Sequence, residues 1–229
     1  LDWYSFGYSK YFSGSVLKKQ NDLEQTDIYK TITKAGEETL YKEKGSKFFG
    51  YAFPMKTEEE LTPYIDSLKQ KHKSARHFCY AYQLGTETMR YRVNDDGEPS
   101  NSAGMPIYGQ IQSFDITNVL VVVVRYFGGT KLGVGGLISA YKTSAKETLE
   151  LCTIITKTIN LQMELTFDYK NLNKVMRVIK EKDLEIVSQK LELDCKIIIQ
   201  MPKNKAEEIT TIFASIYEVT LGTLPKKEG

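Results

Sequence analysis

Two short stretches of this 229-residue chain carry residue types whose spacing could do chemistry. The first is RYFGGTKLGVGG, Arg125–Gly136. Gly128, Gly129, Gly133, Gly135 and Gly136 allow positive φ and close approach of a ligand to the backbone. A helix-like segment follows from Leu137, and a helix N-terminus offers unpaired N–H groups and the positive end of the helix dipole. Arg125 and Lys131 would add charge-assisted contacts to a phosphate. The spacing fits neither a Walker A loop nor the GxGxxG dinucleotide pattern. The purely structural alternative is a tight turn and a close helix–sheet contact. The residues alone leave the two readings balanced.

The second stretch is RVNDDGEPSNSAGMPIYGQ, Arg92–Gln110. Asp95, Asp96 and Glu98, with Asn94 beside them, supply hard oxygen ligands suited to a divalent cation. The spacing is not that of an EF-hand, and Asp-Gly and Glu-Pro are turn chemistry, so an acidic surface loop is the simpler reading. No metal is firmly predicted and no cofactor is expected. The histidines are His72 and His77. His77 and Cys79 would share one face of a strand, so a thiol–imidazole pair is conceivable, although a packed or hydrogen-bonded His77 is the commoner outcome.

The elements that must position these residues follow from periodicity. IYKTI (Ile28–Ile32) starts as a strand, and the YKEKGSKFFGYAFPM segment reads as a polar turn followed by an aromatic strand ending near Pro54. Thr57 and Glu60 have capping-box spacing ahead of a helix on which Leu61, Ile65 and Leu68 share a face, with Pro63 forcing an irregular start or a start at Thr62. His77–Leu84 and TMRYRVN read as strands, and VLVVVV from Val119 as a buried one. The helix from Leu137 places Ala140, Tyr141, Ser144, Ala145 and Leu149 inward. Beyond about residue 152 glycine nearly vanishes. The remaining 75 or so residues read β-α-β-β-α-β, with TIITKTINLQMELTF as the first strand. The expected organisation is a leader or appended segment at 1–26, a first domain at 27–152 and a ferredoxin-like domain at 156–229.

Composition narrows the classes. Hydrophobic residues are 41% and charged residues 26%, as in ordinary globular proteins. The net charge of +2 excludes a global electrostatic argument for nucleic acid, so any basic site must be local. Cys79, Cys152 and Cys195 are odd in number and scattered, which argues against a disulfide framework and for a reduced, cytoplasmic setting. The apolar runs are too short to span a membrane, and no membrane partner is expected.

Taken together, NDDGEPSNSAGMPI and QIQSFDITNVLVVVVRYFGGTKLGVGGL resemble the YigZ/IMPACT family, in its bacterial two-domain form. ARHFCYAY (Ala75–Tyr82) and YKEKGSKFFGYAFP (Tyr41–Pro54) also match its style, and the likeness covers roughly residues 27–229. It implies an α+β fold: a first domain like the second domain of ribosomal protein S5, and a tail like the last domain of elongation factor G. It also implies a link to translation. The eukaryotic relatives act by competing for a protein partner but carry an extra domain absent here. The leading expectation is an RNA- or ribosome-binding regulator using Arg92, Arg125, Lys131 and the glycine loop. A regulator acting through a translation-regulatory protein is the second. A metal-dependent enzyme acting on a phosphorylated small molecule is the third, and it requires the acidic and glycine-rich loops to share one end of the first sheet.

Overall fold

A computed structural model describes residues 27–223. The 1–26 segment lies outside the described residues. The chain divides into two compact units: residues 29–157, and residues 158–223 together with 27–28.

In the first unit, strands β2 (Thr39–Glu43), β3 (Ser46–Pro54), β4 (His77–Leu84), β5 (Arg90–Asn94) and β6 (Val119–Tyr126) form one antiparallel sheet in the order β2-β3-β6-β4-β5. β1 (Ile28–Ile32) pairs with β7 (Ile154–Thr158) in a separate two-stranded sheet. Helices α2 (Gly104–Ser113) and α3 (Gly133–Glu150) cover one face of the large sheet, and α1 (Leu61–Lys71) covers the other. β6 is central and buried from Val119 to Val124, which explains its unbroken apolar run: Val119, Val121 and Val123 meet the α2–α3 layer, and Leu120, Val122 and Val124 the α1 layer. β2 and β3 are joined by a two-residue turn in which Lys44 and Gly45 both have positive φ, the geometry that suits the twist of a hairpin.

The second unit runs β8 (Asn160–Asp168), α4 (Leu172–Glu181), β9 (Glu185–Lys190), β10 (Asp194–Pro202), α5 (Ala206–Ala214), β11 (Val219–Thr223). Its antiparallel sheet has the order β11-β8-β10-β9, the βαββαβ pattern expected from the sequence. Met163, Leu165, Phe167, Ile197 and Ile199 face the helices through Val175, Ile179, Ile209 and Phe213.

Three local readings need correction. The segment 104–113 is a helix, not a continuation of the acidic loop; Gly104 and Pro106 sit in its first turn, where proline is tolerated, and Ile107 and Ile111 bury one face. The helix expected from Leu137 begins at Gly133, because a first turn holding three glycines has too little intrinsic propensity to be read. The single strand expected over 153–167 is two, broken at Ile159, whose N–H donates to the Asp27 carbonyl and whose carbonyl accepts from Lys203 N–H. The irregular start forced by Pro63 is a short 3-10 turn at Glu58–Glu60 carrying the Thr57/Glu60 capping box.

The α1 face holds a polar chain that runs from the surface at Lys71 and Glu38 to the buried His72. Lys71 pairs with Glu38, and Glu38 accepts from the Tyr51 hydroxyl at 2.5 Å. His72 touches Tyr51 through Nε2 at 2.5 Å and Tyr126 through Nδ1 at 2.9 Å. Because Tyr51 gives its proton to Glu38, His72 must donate from Nε2, and in the neutral imidazole Nδ1 accepts from the Tyr126 hydroxyl. Burial pushes the His72 pKa down from its ordinary 6.5, opposed by the Glu38 charge. The unfolded chain therefore binds this proton more readily, and the stability His72 contributes is present above pH 6.5 and lost as pH falls below it. Urea midpoints measured from pH 7 to 5 should fall, and His72→Gln should flatten that part of the profile.

Candidate functional site: the open end of the five-stranded sheet

Strand register brings five segments to one end of the sheet. Lys47 lies opposite Tyr126, His77 opposite Arg125, and Asn94 opposite Tyr80. The β2–β3 turn, the start of β4, the end of β6 and the loop leaving β5 therefore meet there, together with the glycine-rich loop that leads into α3. The two loops singled out in the sequence do converge. Arg125 Nη1 donates to Glu98 Oε1 at 2.6 Å with both side chains buried, 6% and 4% exposed. The same oxygen accepts from the Tyr141 hydroxyl of α3 at 2.8 Å, and Arg125 Nη2 donates to Ser46 Oγ of β3 at 3.4 Å.

Arg125 is therefore not a free phosphate reader. Its guanidinium is a strut between the sheet, the acidic loop and α3. It also lies against the Phe48 ring at 5.5 Å and the Phe127 ring at 5.7 Å. Arg92 is not brought to the site either. It lies opposite Tyr82, while its neighbour Val93 packs into the α2–α3 layer, so by alternation Arg92 belongs to the α1 face.

The carboxylates of the acidic loop are each spoken for. Asp95 Oδ1 accepts from the N–H groups of Ala103 and Gly104 at 2.9 and 2.8 Å, and Oδ2 from Asn101 N–H. It thus caps α2 from outside the helix. Asp96 Oδ2 accepts from Phe78 N–H at 2.7 Å, and Asn94 Oδ1 accepts from Asp96 N–H at 2.7 Å. With Glu98 held by Arg125, the three carboxylates do not converge on a cation, and no group of three metal-ligating residues forms among the described residues. His77 donates from Nδ1 to the Asp96 carbonyl at 2.9 Å, and Cys79 reaches the Asp95 carbonyl and the Tyr141 hydroxyl. These two side chains share a face but bond to different groups. Burial pushes the Cys79 thiol well above its ordinary range, the state of an inert core cysteine rather than a nucleophile.

The glycines divide by role. A Cβ at Gly128 would lie 1.9 Å from Gly45 C and 2.1 Å from Ser46 N, so the loop and the β2–β3 turn are in backbone contact there. A Cβ at Gly136 would meet Leu132 Cβ at 3.1 Å. At Gly129, Gly133 and Gly135 an added Cβ would meet nothing within 4 Å. Gly129 and Gly133 have positive φ, but Gly135 does not, so neither packing nor backbone conformation demands glycine at 135. The first turn of α3 has no side-chain cap and no acidic residue, in contrast to α2 with Asp95.

The cations at this end were only partly legible. Lys131 is joined by Lys44 of the hairpin turn and Arg76 just before β4, all exposed, whereas Lys47 alternates with Phe48 to the α1 face. Their assembly depends on strand order, which the sequence pattern does not encode. The exposed ring of Phe127 was missed for the same reason.

This arrangement defines an α+β protein with a helix-backed antiparallel sheet, a buried ion-pair strut at its open end and a βαββαβ tail. The Impact N-terminal domain family matches residues 44–149. The IMPACT family member YvyE of Bacillus subtilis (strain 168) is 33% identical over 202 residues, 88% of this chain and 91% of that protein. The chain belongs to the IMPACT family. A crystal structure of a hypothetical protein superposes with TM-score 0.67 at 24% identity, covering 88% of this chain and 99% of its own, and shows the same fold. The two-domain translational regulator Yih1 is 28% identical over 52% of this chain and 46% of its own, with a TM-score of 0.34. No helix among the described residues is long and apolar enough to cross a membrane.

Two stability measurements check these assignments. Gly128→Ala should cost about 1–3 kcal/mol by overpacking, whereas Gly135→Ala should raise stability by about 0.5–1 kcal/mol, because it removes only backbone entropy. Thermal melts of the two variants should move in opposite directions. Glu98→Ala should cost about 3–5 kcal/mol, the penalty of stranding the buried Arg125 charge, read as a lower urea midpoint with an unchanged m-value.

Proposed function

We propose that this chain is a translation-linked regulator that holds RNA phosphates at the open end of its five-stranded sheet. The observation that carries the reading is the uncapped first turn of α3, where Gly133 and Gly135 leave the backbone open and no acidic side chain occupies the positive end of the helix. Glycine inside a helix costs about 1 kcal/mol relative to alanine, and an absent cap a similar amount. A phosphate on those N–H groups would give both a purpose. Support also comes from Lys44, Arg76 and Lys131, none of which forms an ion pair among the described residues. The acidic loop leaves β5 and Lys44 sits in the β2–β3 turn, at the two edges of the sheet order β2-β3-β6-β4-β5. The link to translation rests on kinship with Yih1, and the inferred likeness of the first unit to the second domain of ribosomal protein S5 agrees with it.

A second reading has one observation in its favour. Val134 and Ile138 are exposed one turn apart on α3 beside Gly135, a short apolar stripe suited to a protein partner such as a translation-regulatory factor. Salt separates the two readings. In fluorescence-anisotropy titrations with a short structured RNA, binding should weaken steeply between low and moderate salt. Lys131→Glu should weaken it and lower the salt slope by about 1. Absence of binding at low salt would overturn the RNA reading and leave the apolar stripe as the surface to pursue.

A further inference from the structure

We infer that Phe127 is a stacking platform for an unpaired base, so that the RNA recognised at this site is single-stranded or looped rather than a plain duplex. The inference rests on the phosphate reading above and specifies the substrate class.

Phe127 follows the last residue of β6 and is 57% exposed, although the neighbouring aromatics Phe48 and Tyr141 are fully buried. Its ring is not loose at the surface. The Arg125 guanidinium lies against it at 5.7 Å, and that guanidinium is fixed in turn by Glu98, by Ser46 and by the Phe48 ring at 5.5 Å. Arg125 Nε is buried without a hydrogen-bond partner. A desolvated cation with a spare donor and two aromatic neighbours is committed to holding rings in place. The cation draws on the π-density of Phe127 and leaves the remaining ring surface suited to an electron-rich base, purine above all.

The surroundings match a nucleotide rather than an apolar peptide. Gly128 and Gly129 follow the ring and bring no side chain to crowd a planar partner. Lys131 lies four residues on, and Lys44 is adjacent through the Gly45–Gly128 backbone contact. A ring flanked by unpaired cations is the combination by which proteins hold single-stranded nucleic acid: bases stack while phosphates are neutralised. A base locked inside a helix presents no free face, so only unpaired nucleotides gain from the ring.

The test compares a fluorescein-labelled RNA hairpin with a purine-rich loop and a blunt duplex of the same stem, using wild type, Phe127→Leu, Phe127→Trp and Lys131→Glu. Phe127→Leu should weaken hairpin binding about tenfold and leave duplex binding unchanged, with the salt slope intact. Phe127→Trp should retain hairpin affinity, and its emission should be quenched by the hairpin and not by the duplex, read on a Trp3→Phe background. A melt of each variant matching wild type shows that the fold is retained; if Phe127→Leu melts early, the Phe127→Trp quenching decides. Undiminished hairpin binding by Phe127→Leu, while Lys131→Glu still weakens it, would overturn the stacking role alone. Equal loss on hairpin and duplex would also overturn it, the ring then only shaping the loop. Failure of wild type to bind either RNA would overturn the phosphate reading and this inference with it.

Discussion

The first unit depends on one buried ion pair. Arg125 and Glu98 lose almost all contact with water, and the cost of burying such a pair is offset by its mutual attraction and by the further hydrogen bonds it makes. Here Tyr141 and Ser46 take part, so the pair ties together the end of the central strand, the acidic loop, α3 and the start of β3. Ser46 Oγ also accepts from Gly128 N–H at 3.1 Å, which anchors the glycine loop to the same knot. Remove the pair and four segments lose a common reference. The acidity of the loop is therefore architectural: its carboxylates are spent on N–H donors and on Arg125.

The consequence for function is a division of labour. Asp95 satisfies the N-terminus of α2, while the N-terminus of α3, which lies beyond the knot, is left without a cap. One helix start is closed and its neighbour is open. The buried strut lets the loop be glycine-rich, because its position is fixed by Gly128, Ser46 and Arg125 rather than by its own conformational preferences. A rigid frame carrying an exposed, side-chain-poor backbone is what close approach of a phosphate or a base requires.

The sequence was most legible where periodicity is simple. Val119–Val124 announces a strand covered on both faces, and the 160–223 segment spells out its alternation and helical stripes almost without interruption. The fold of α2 was hidden because Gly104, Pro106 and Gly109 mask a helix whose start is secured by Asp95, nine residues before Gly104 and outside the helix. The start of α3 was hidden by its glycines. At the site, the chemistry of His77 and the acidic loop could not be read from residue type and spacing. Arg125 looks like a phosphate ligand until the register puts Glu98 and Tyr141 against it. Lys44 and Arg76 are ordinary surface cations until strand order gathers them.

The central claim is that one end of one sheet is the binding surface. The most direct measurement is a set of amide proton–nitrogen spectra of the full chain, titrated with the loop-bearing RNA. Amides of residues 44–47 and 127–136 should shift together with one dissociation constant, while those of Asp95, Asp96 and Glu98 and of the β8–β11 sheet stay in place. Shifts confined to the β8–β11 sheet, or none anywhere at low salt, would contradict the claim.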